Sequence, residues 1–85
     1  MRKAIRFSLH AETVMRERGL QAEWVERIAL DPEWTAVDPR DSTVERRFGA
    51  VPERGGRILR VACVEDAFEI RIISAFLDRG AIKPE

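Results

Sequence analysis

Within Gln21-Ala22-Glu23-Trp24-Val25-Glu26-Arg27-Ile28-Ala29-Leu30-Asp31-Pro32-Glu33-Trp34-Thr35-Ala36-Val37-Asp38 the hydrophobic period of the chain changes. Up to Leu30, Trp24, Val25, Ile28 and Ala29 fall on one helical face and Glu23, Glu26 and Arg27 on the other, which predicts an amphipathic helix over 21–30. Pro32 ends it, because proline lacks an amide and pushes Asp31 away from helical geometry. From Glu33 onward the period is two, and Trp34 to Asp38 predicts a strand.

Toward the N-terminus, Ala4-Ile5-Arg6-Phe7 alternates as a short strand does. Ser8 follows as an N-cap and Gly19 as a left-handed helix stop, so 8–19 predicts a capped helix. Ala11, Val14 and Met15 form its apolar stripe, with His10, Arg16 and Glu17 on its flanks. The short connection to the next helix makes the two a helical hairpin.

Toward the C-terminus the strand period persists. Asp38-Pro39-Arg40-Asp41-Ser42 reads as a turn, Val44 to Val51 as a strand, Pro52-Glu53-Arg54-Gly55-Gly56 as a hairpin loop and Arg57 to Glu65 as the next strand. Phe68 to Phe76 is the strongest strand by composition, with Phe68, Ile70, Ile72 and Ser74 alternating against Glu69, Arg71, Ile73 and Ala75. The residues from Leu77 to Glu85 read as a loose tail. The predicted order is β-α-α-β-β-β-β: an α+β fold in which a helical hairpin lies on a four- to five-stranded, largely antiparallel sheet. Its helix-free face is expected to present arginines, since Arg60 and Arg71 alternate out of phase with their apolar neighbours.

The 85 residues leave room for one domain, 1–85, with 45% hydrophobic and 35% charged residues, a globular balance. Fifteen basic and fifteen acidic residues cancel, so net charge gives no general pull toward nucleic acid or membrane. Locally the balance tips: Arg46, Arg47, Arg54, Arg57 and Arg60 face only Glu53 in the same stretch. All basic residues but Lys3 and Lys83 are arginine, whose planar fork grips phosphate or carboxylate at two points, although a GC-rich genome gives the same bias. The charged start Met1-Arg2-Lys3 leads into no apolar run of signal length and no segment reaches membrane-span length, so the sequence reads as cytoplasmic without membrane contact. One histidine and one cysteine, far apart, predict no metal and no other cofactor.

The remaining chemistry is acid–base and cationic. His10 is the only side chain with an ordinary pKa near neutrality, and arginines stabilise a phosphorane-like transition state without metal. The bland alternatives are a His10 that packs on the sheet or bonds a carbonyl, a solvated Arg16/Arg18 flank, strand-edge charges at Arg46 and Arg47, and a Trp34 that is either core or a partner-facing anchor. Cys63 reads as a small buried apolar residue.

Ser8-x-His10-Ala11, Arg16-x-Arg18-Gly19, Asp31-Pro32, Leu59-Arg60-Val61 and Arg71-Ile72-Ile73-Ser74-Ala75 together resemble a small bacterial domain family of unknown function grouped with RelE- and ParE-type toxins. The second half is also similar to BrnT toxins through Asp38-Pro39-Arg40, Val44-Glu45-Arg46-Arg47-Phe48 and Gly56-Arg57-Ile58-Leu59-Arg60-Val61. The resemblance implies a RelE-like fold and a type II toxin, a metal-independent endoribonuclease acting on mRNA and held by a cognate antitoxin. It nominates His10 and Arg71 as catalytic candidates and Arg18, Arg47 and Arg60 as substrate-binding ones, with RNA or the ribosome as target, and the cleavage hypothesis adds Glu45 as a catalytic candidate that handles protons. The competing expectation is a non-catalytic module of the same fold that binds a protein or nucleic acid. A homodimer through an exposed strand edge is a third.

Overall fold

Ser8 joins three parts of the molecule. The computed structural model describes residues 3–85, so Met1 and Arg2 of the charged start lie outside it. Strand β1 (Ala4–Phe7) delivers Ser8 to the start of helix α1 (Leu9–Arg18), where its Oγ accepts from the Ala11 amide at 3.0 Å and donates to the Ile73 carbonyl at 3.2 Å. Its own amide donates to Ile72 O at 2.9 Å. At the other end Gly19 takes φ 66°, and the Leu20 amide returns to Met15 O at 2.9 Å. Glycine is needed there because that left-handed conformation crowds a Cβ.

Helix α2 (Ala22–Leu30) completes the hairpin, and the chain then runs through β2 (Trp34–Val37), β3 (Glu45–Val51), a 3-10 turn (Pro52–Arg54), β4 (Arg57–Glu65) and β5 (Glu69–Leu77). Over the described residues the fold is α+β, with two helices and a mixed five-stranded sheet ordered β1-β5-β4-β3-β2. Strand β1 is parallel to β5, and the other neighbours are antiparallel. Among the described residues no helix is long and apolar enough to cross a membrane.

One face of the sheet is covered by the helices. Val25, Ile28 and Ala29 of α2 and Ala11 and Met15 of α1 pack on Val51, Leu59, Val61, Cys63, Ile70, Ile72 and Ala75. Each large aliphatic side chain fully buried there contributes about 1.5–3 kcal/mol. Helix α2 comes so close to β3 that a Cβ on Gly49 would lie 2.6 Å from Ile28 Cδ1. The lone cysteine is buried in this layer as expected, and burial pushes its thiol up to about 11.

Strand β5 departs from the predicted alternation. Ala62 pairs with Ser74 but Cys63 pairs with Ile72, so Ile73 is the extra residue of a β-bulge. The bulge resets the phase: Ala75 enters the core, and Ser74 turns away from it. Ser8 holds the bulged carbonyl. Two boundaries also move. Phe68 precedes the strand and is exposed, whereas Leu77 ends it and packs against the core. The expected loose tail is tied at its start, where the Asp78 amide donates to Ile58 O at 2.8 Å.

Candidate nucleic-acid interface

The helix-free face is built by pairing register. Trp34 lies opposite Phe48, Phe48 opposite Arg60, and Arg60 opposite Phe76, so four planar side chains form one row across β2, β3, β4 and β5. The rings of Trp34 and Phe48 stack at 4.8 Å with an interplanar angle of 4°. The Arg60 guanidinium lies over the Phe76 ring, 4.0 Å from its centroid. Such aromatic and cation–π pairs are favourable beyond the area they bury. The neighbouring row is Ala36, Arg46, Ala62 and Ser74, small residues around one cation.

The bulge is what puts Arg71 and Phe76 on the same side. Five positions separate them, an odd spacing that would place them on opposite faces of a regular strand. With Ile73 as the extra residue, Arg71 pairs with Val64 and with Arg6 of β1, on the face that carries Phe76. Arg71 is exposed and joins no ion pair among the described residues, while Arg6 reaches Glu69 at 3.3 Å.

Arg46 and Arg60 are each backed by an aspartate. Asp38 accepts the Arg40 and Asp41 amides at 2.8 and 3.2 Å, which fixes the turn, and offers its other oxygen to Arg46 Nε at 3.3 Å. The Arg40 amide, followed by Arg46, holds the Asp38 carboxyl below its usual range. Arg60 Nη1 lies 3.3 Å from Asp78 Oδ2. Partial burial, then repulsion from Arg46, lowers the Arg60 pKa despite both aspartates, so the two cations sit close enough to feel each other. The result is a positioned pair of guanidiniums beside stacked rings.

The other nominated residues are elsewhere. Arg47 points to the helix-covered face, a correction to its expected place among the phosphate-contacting arginines: it alternates with Arg46, and its register partner Val61 is core. There Nη1 donates to Ala29 O at the end of α2 at 2.6 Å, Nε to Glu45 at 2.7 Å and Nη2 to Glu65 at 2.5 Å. Burial pulls this pKa down, but the bonds to Glu65 and Glu45 outweigh it and leave it above the ordinary value. Glu45 is spent on that contact, on the face opposite Arg71. His10 is exposed in the first turn of α1, in the helix layer, so His10, Glu45 and Arg71 are not brought together. Arg18 donates to Ala75 O at 3.0 Å and anchors the end of α1 to β5. Trp34 stands outside the core cluster, half-buried and stacked on Phe48 at the edge strand β2.

Sequence reasoning missed Phe76 because its phase depends on the bulge, for which 68–76 carries no glycine or other marker. It missed the Asp38–Arg46 pair as well, although an aspartate opening a Pro-Arg-Asp turn is a recognisable cap.

An α+β protein with two helices over a mixed sheet and a cationic, aromatic open face is the class these features define. The chain belongs to the family described as Domain of unknown function (DUF4258), which matches residues 7–77. No curated protein and no solved structure matches it. The likeness to RelE, ParE and BrnT toxins rests on the sequence motifs alone.

Proposed function

We propose that this protein binds single-stranded RNA on the open face of its sheet, as a non-catalytic module of the RelE/BrnT-like class its motifs resemble. The observation that carries this reading is the row Trp34–Phe48–Arg60–Phe76, in which Trp34 stacks on Phe48 and the Arg60 guanidinium lies over Phe76. Single-strand binders combine cations along the backbone with rings on which bases stack. Arg46, Arg60 and Arg71 supply the cations. Trp34 supplies the stacking end, because β2 is the sheet edge among the described residues. The aspartates behind Arg46 and Arg60 do not defeat the site, since part-exposed ion pairs are weak and phosphate competes for the same fork.

The endoribonuclease expectation needs a proton-transferring group beside those arginines. Its candidates, His10 and Glu45, lie in the helix layer and beneath it, which favours binding over cleavage. Fluorescence anisotropy with labelled oligouridylate tests the reading. Affinity is expected to fall with salt at a log–log slope of about −2 for three phosphate contacts. R60A should weaken binding about tenfold and make the slope shallower by about 0.7, while H10A leaves both unchanged and the RNA stays intact. Salt-independent affinity, or an R60A variant that binds like wild type, overturns it.

A further inference from the structure

We infer that the cleft between the end of α1, the 3-10 turn and the start of β4 holds the terminal phosphomonoester of a bound strand; this deepens, and rests on, the RNA reading. The cleft has a volume of about 460 Å³ and is lined by Arg18, Arg54 and Arg57 over Leu20, Phe76 and Leu77. Three elements converge there: Arg18 closes α1, Arg54 closes the 3-10 turn and Arg57 opens β4. Gly55 and Gly56, at φ 69° and 79°, make the left-handed turn that brings Arg54 and Arg57 to the same opening.

Charge makes the cleft a site. Arg6, Arg27, Arg46, Arg47 and Arg60 all have carboxylate partners, but among the described residues Arg18, Arg54 and Arg57 join no ion pair. The two acids nearest in sequence are diverted. Glu53, next to Arg54, is held by both terminal nitrogens of Arg27 at 2.9 and 3.2 Å, and Asp78, next to Leu77, is turned to Arg60. A protein of zero net charge thus keeps three guanidiniums together with no carboxylate among the lining residues.

Two of the three are also positioned in advance. Arg18 is tied to Ala75 O and its guanidinium lies 5.7 Å from the Phe76 ring centroid, while Arg54 lies 6.0 Å over Trp24. Pre-organised forks lose less freedom when they close on an anion. Three forks match the three terminal oxygens and double charge of a phosphomonoester better than the two free oxygens and single charge of a backbone diester. Phe76 links the sites, because both Arg60 of the open face and Arg18 of the cleft place their guanidiniums over its ring. A strand lying on the open face therefore ends at the cleft.

The test compares short oligouridylates with a 5′-phosphate, a 3′-phosphate or hydroxyls at both ends. One phosphorylated end is expected to bind about tenfold tighter than the hydroxyl-ended strand, and which one it is identifies the polarity. The R54A/R57A double variant, altered at two half-buried side chains outside the core, should lose that preference and keep its hydroxyl-ended affinity within about twofold. Equal affinity for all three strands, or a preference that survives in R54A/R57A, overturns the inference. Titration with inorganic phosphate separates this from the RNA reading. Saturable shifts of the Leu20, Phe76 and Leu77 amides that vanish in R54A/R57A support the anion cleft even if no oligonucleotide binds, and their absence counts against it.

Discussion

Arg47 and Arg60 sit on adjacent strands of one sheet, one on each face, and their fates differ. Arg47 is consumed by the fold: its side chain is 11% exposed, and its donors go to a helix-end carbonyl and two carboxylates. Arg60 has one carboxylate at 3.3 Å and a ring beneath it, and it keeps donors for a ligand. An arginine is available for function according to what surrounds it, and parity along the strand decides that. Two neighbouring residues, Arg46 and Arg47, already show both outcomes.

The sharpest way to break this contrast is R47M, which keeps the aliphatic length and removes the donors. It leaves Ala29 O without its partner and Glu45 and Glu65 facing each other, at an expected cost of about 2 kcal/mol. For a chain of this size that lowers the thermal midpoint by roughly 10 °C, measurable by circular dichroism. R60A should move the midpoint far less. If R60A proves the more destabilising of the two, the assignment of faces to fold and function is wrong.

Acid titration gives a smaller effect. Glu65 is held below its ordinary 4.5 by Lys3 and then by Arg47. A carboxylate with a lower pKa in the folded than in the unfolded state stabilises above the unfolded value, and that stability is lost as pH falls through the folded pKa. Stability should therefore be level above about pH 5 and decline below pH 4.5, and E65Q should be less stable at neutral pH with a shallower acid limb, a difference below about 1 kcal/mol. A limb unchanged in E65Q would contradict the pairing with Arg47.

D78N is the smallest expected change and points the other way. Removing the carboxylate that competes for Arg60 should tighten oligouridylate binding by about two- to threefold at low salt, because a part-exposed pair is worth only a few tenths of a kcal/mol. Weaker binding by D78N would mean that Asp78 positions Arg60 more than it opposes the ligand.

Much of the fold was legible in the sequence. The period change at Pro32 separated helix from strand, Ser8 and Gly19 capped α1 as predicted, and the element order held throughout. The candidate site was legible only in part. Alternation alone places Arg60 and Arg71 on the open face, and the same parity puts Arg46 and Arg47 on opposite faces, whereas the motif resemblance groups Arg47 with Arg60. Phe76 was hidden by the bulge at Ile73, a feature fixed by a tertiary bond from Ser8, 65 residues away in sequence. Ion pairs such as Arg27–Glu53 are equally non-local, so no one-dimensional pattern shows which arginines remain without a partner.

The two tryptophans stand on opposite sides of the sheet, Trp24 on helix α2, partly buried against the core, and Trp34 stacked on the open face. Their indole N–H signals in a ¹H–¹⁵N spectrum therefore report one on each face. On titration with hydroxyl-ended oligouridylate, the Trp34 signal is expected to shift as its outer ring face takes a base, while Trp24 stays in place. A shift confined to Trp24, or no shift of either indole at saturating RNA, would contradict binding on the open face.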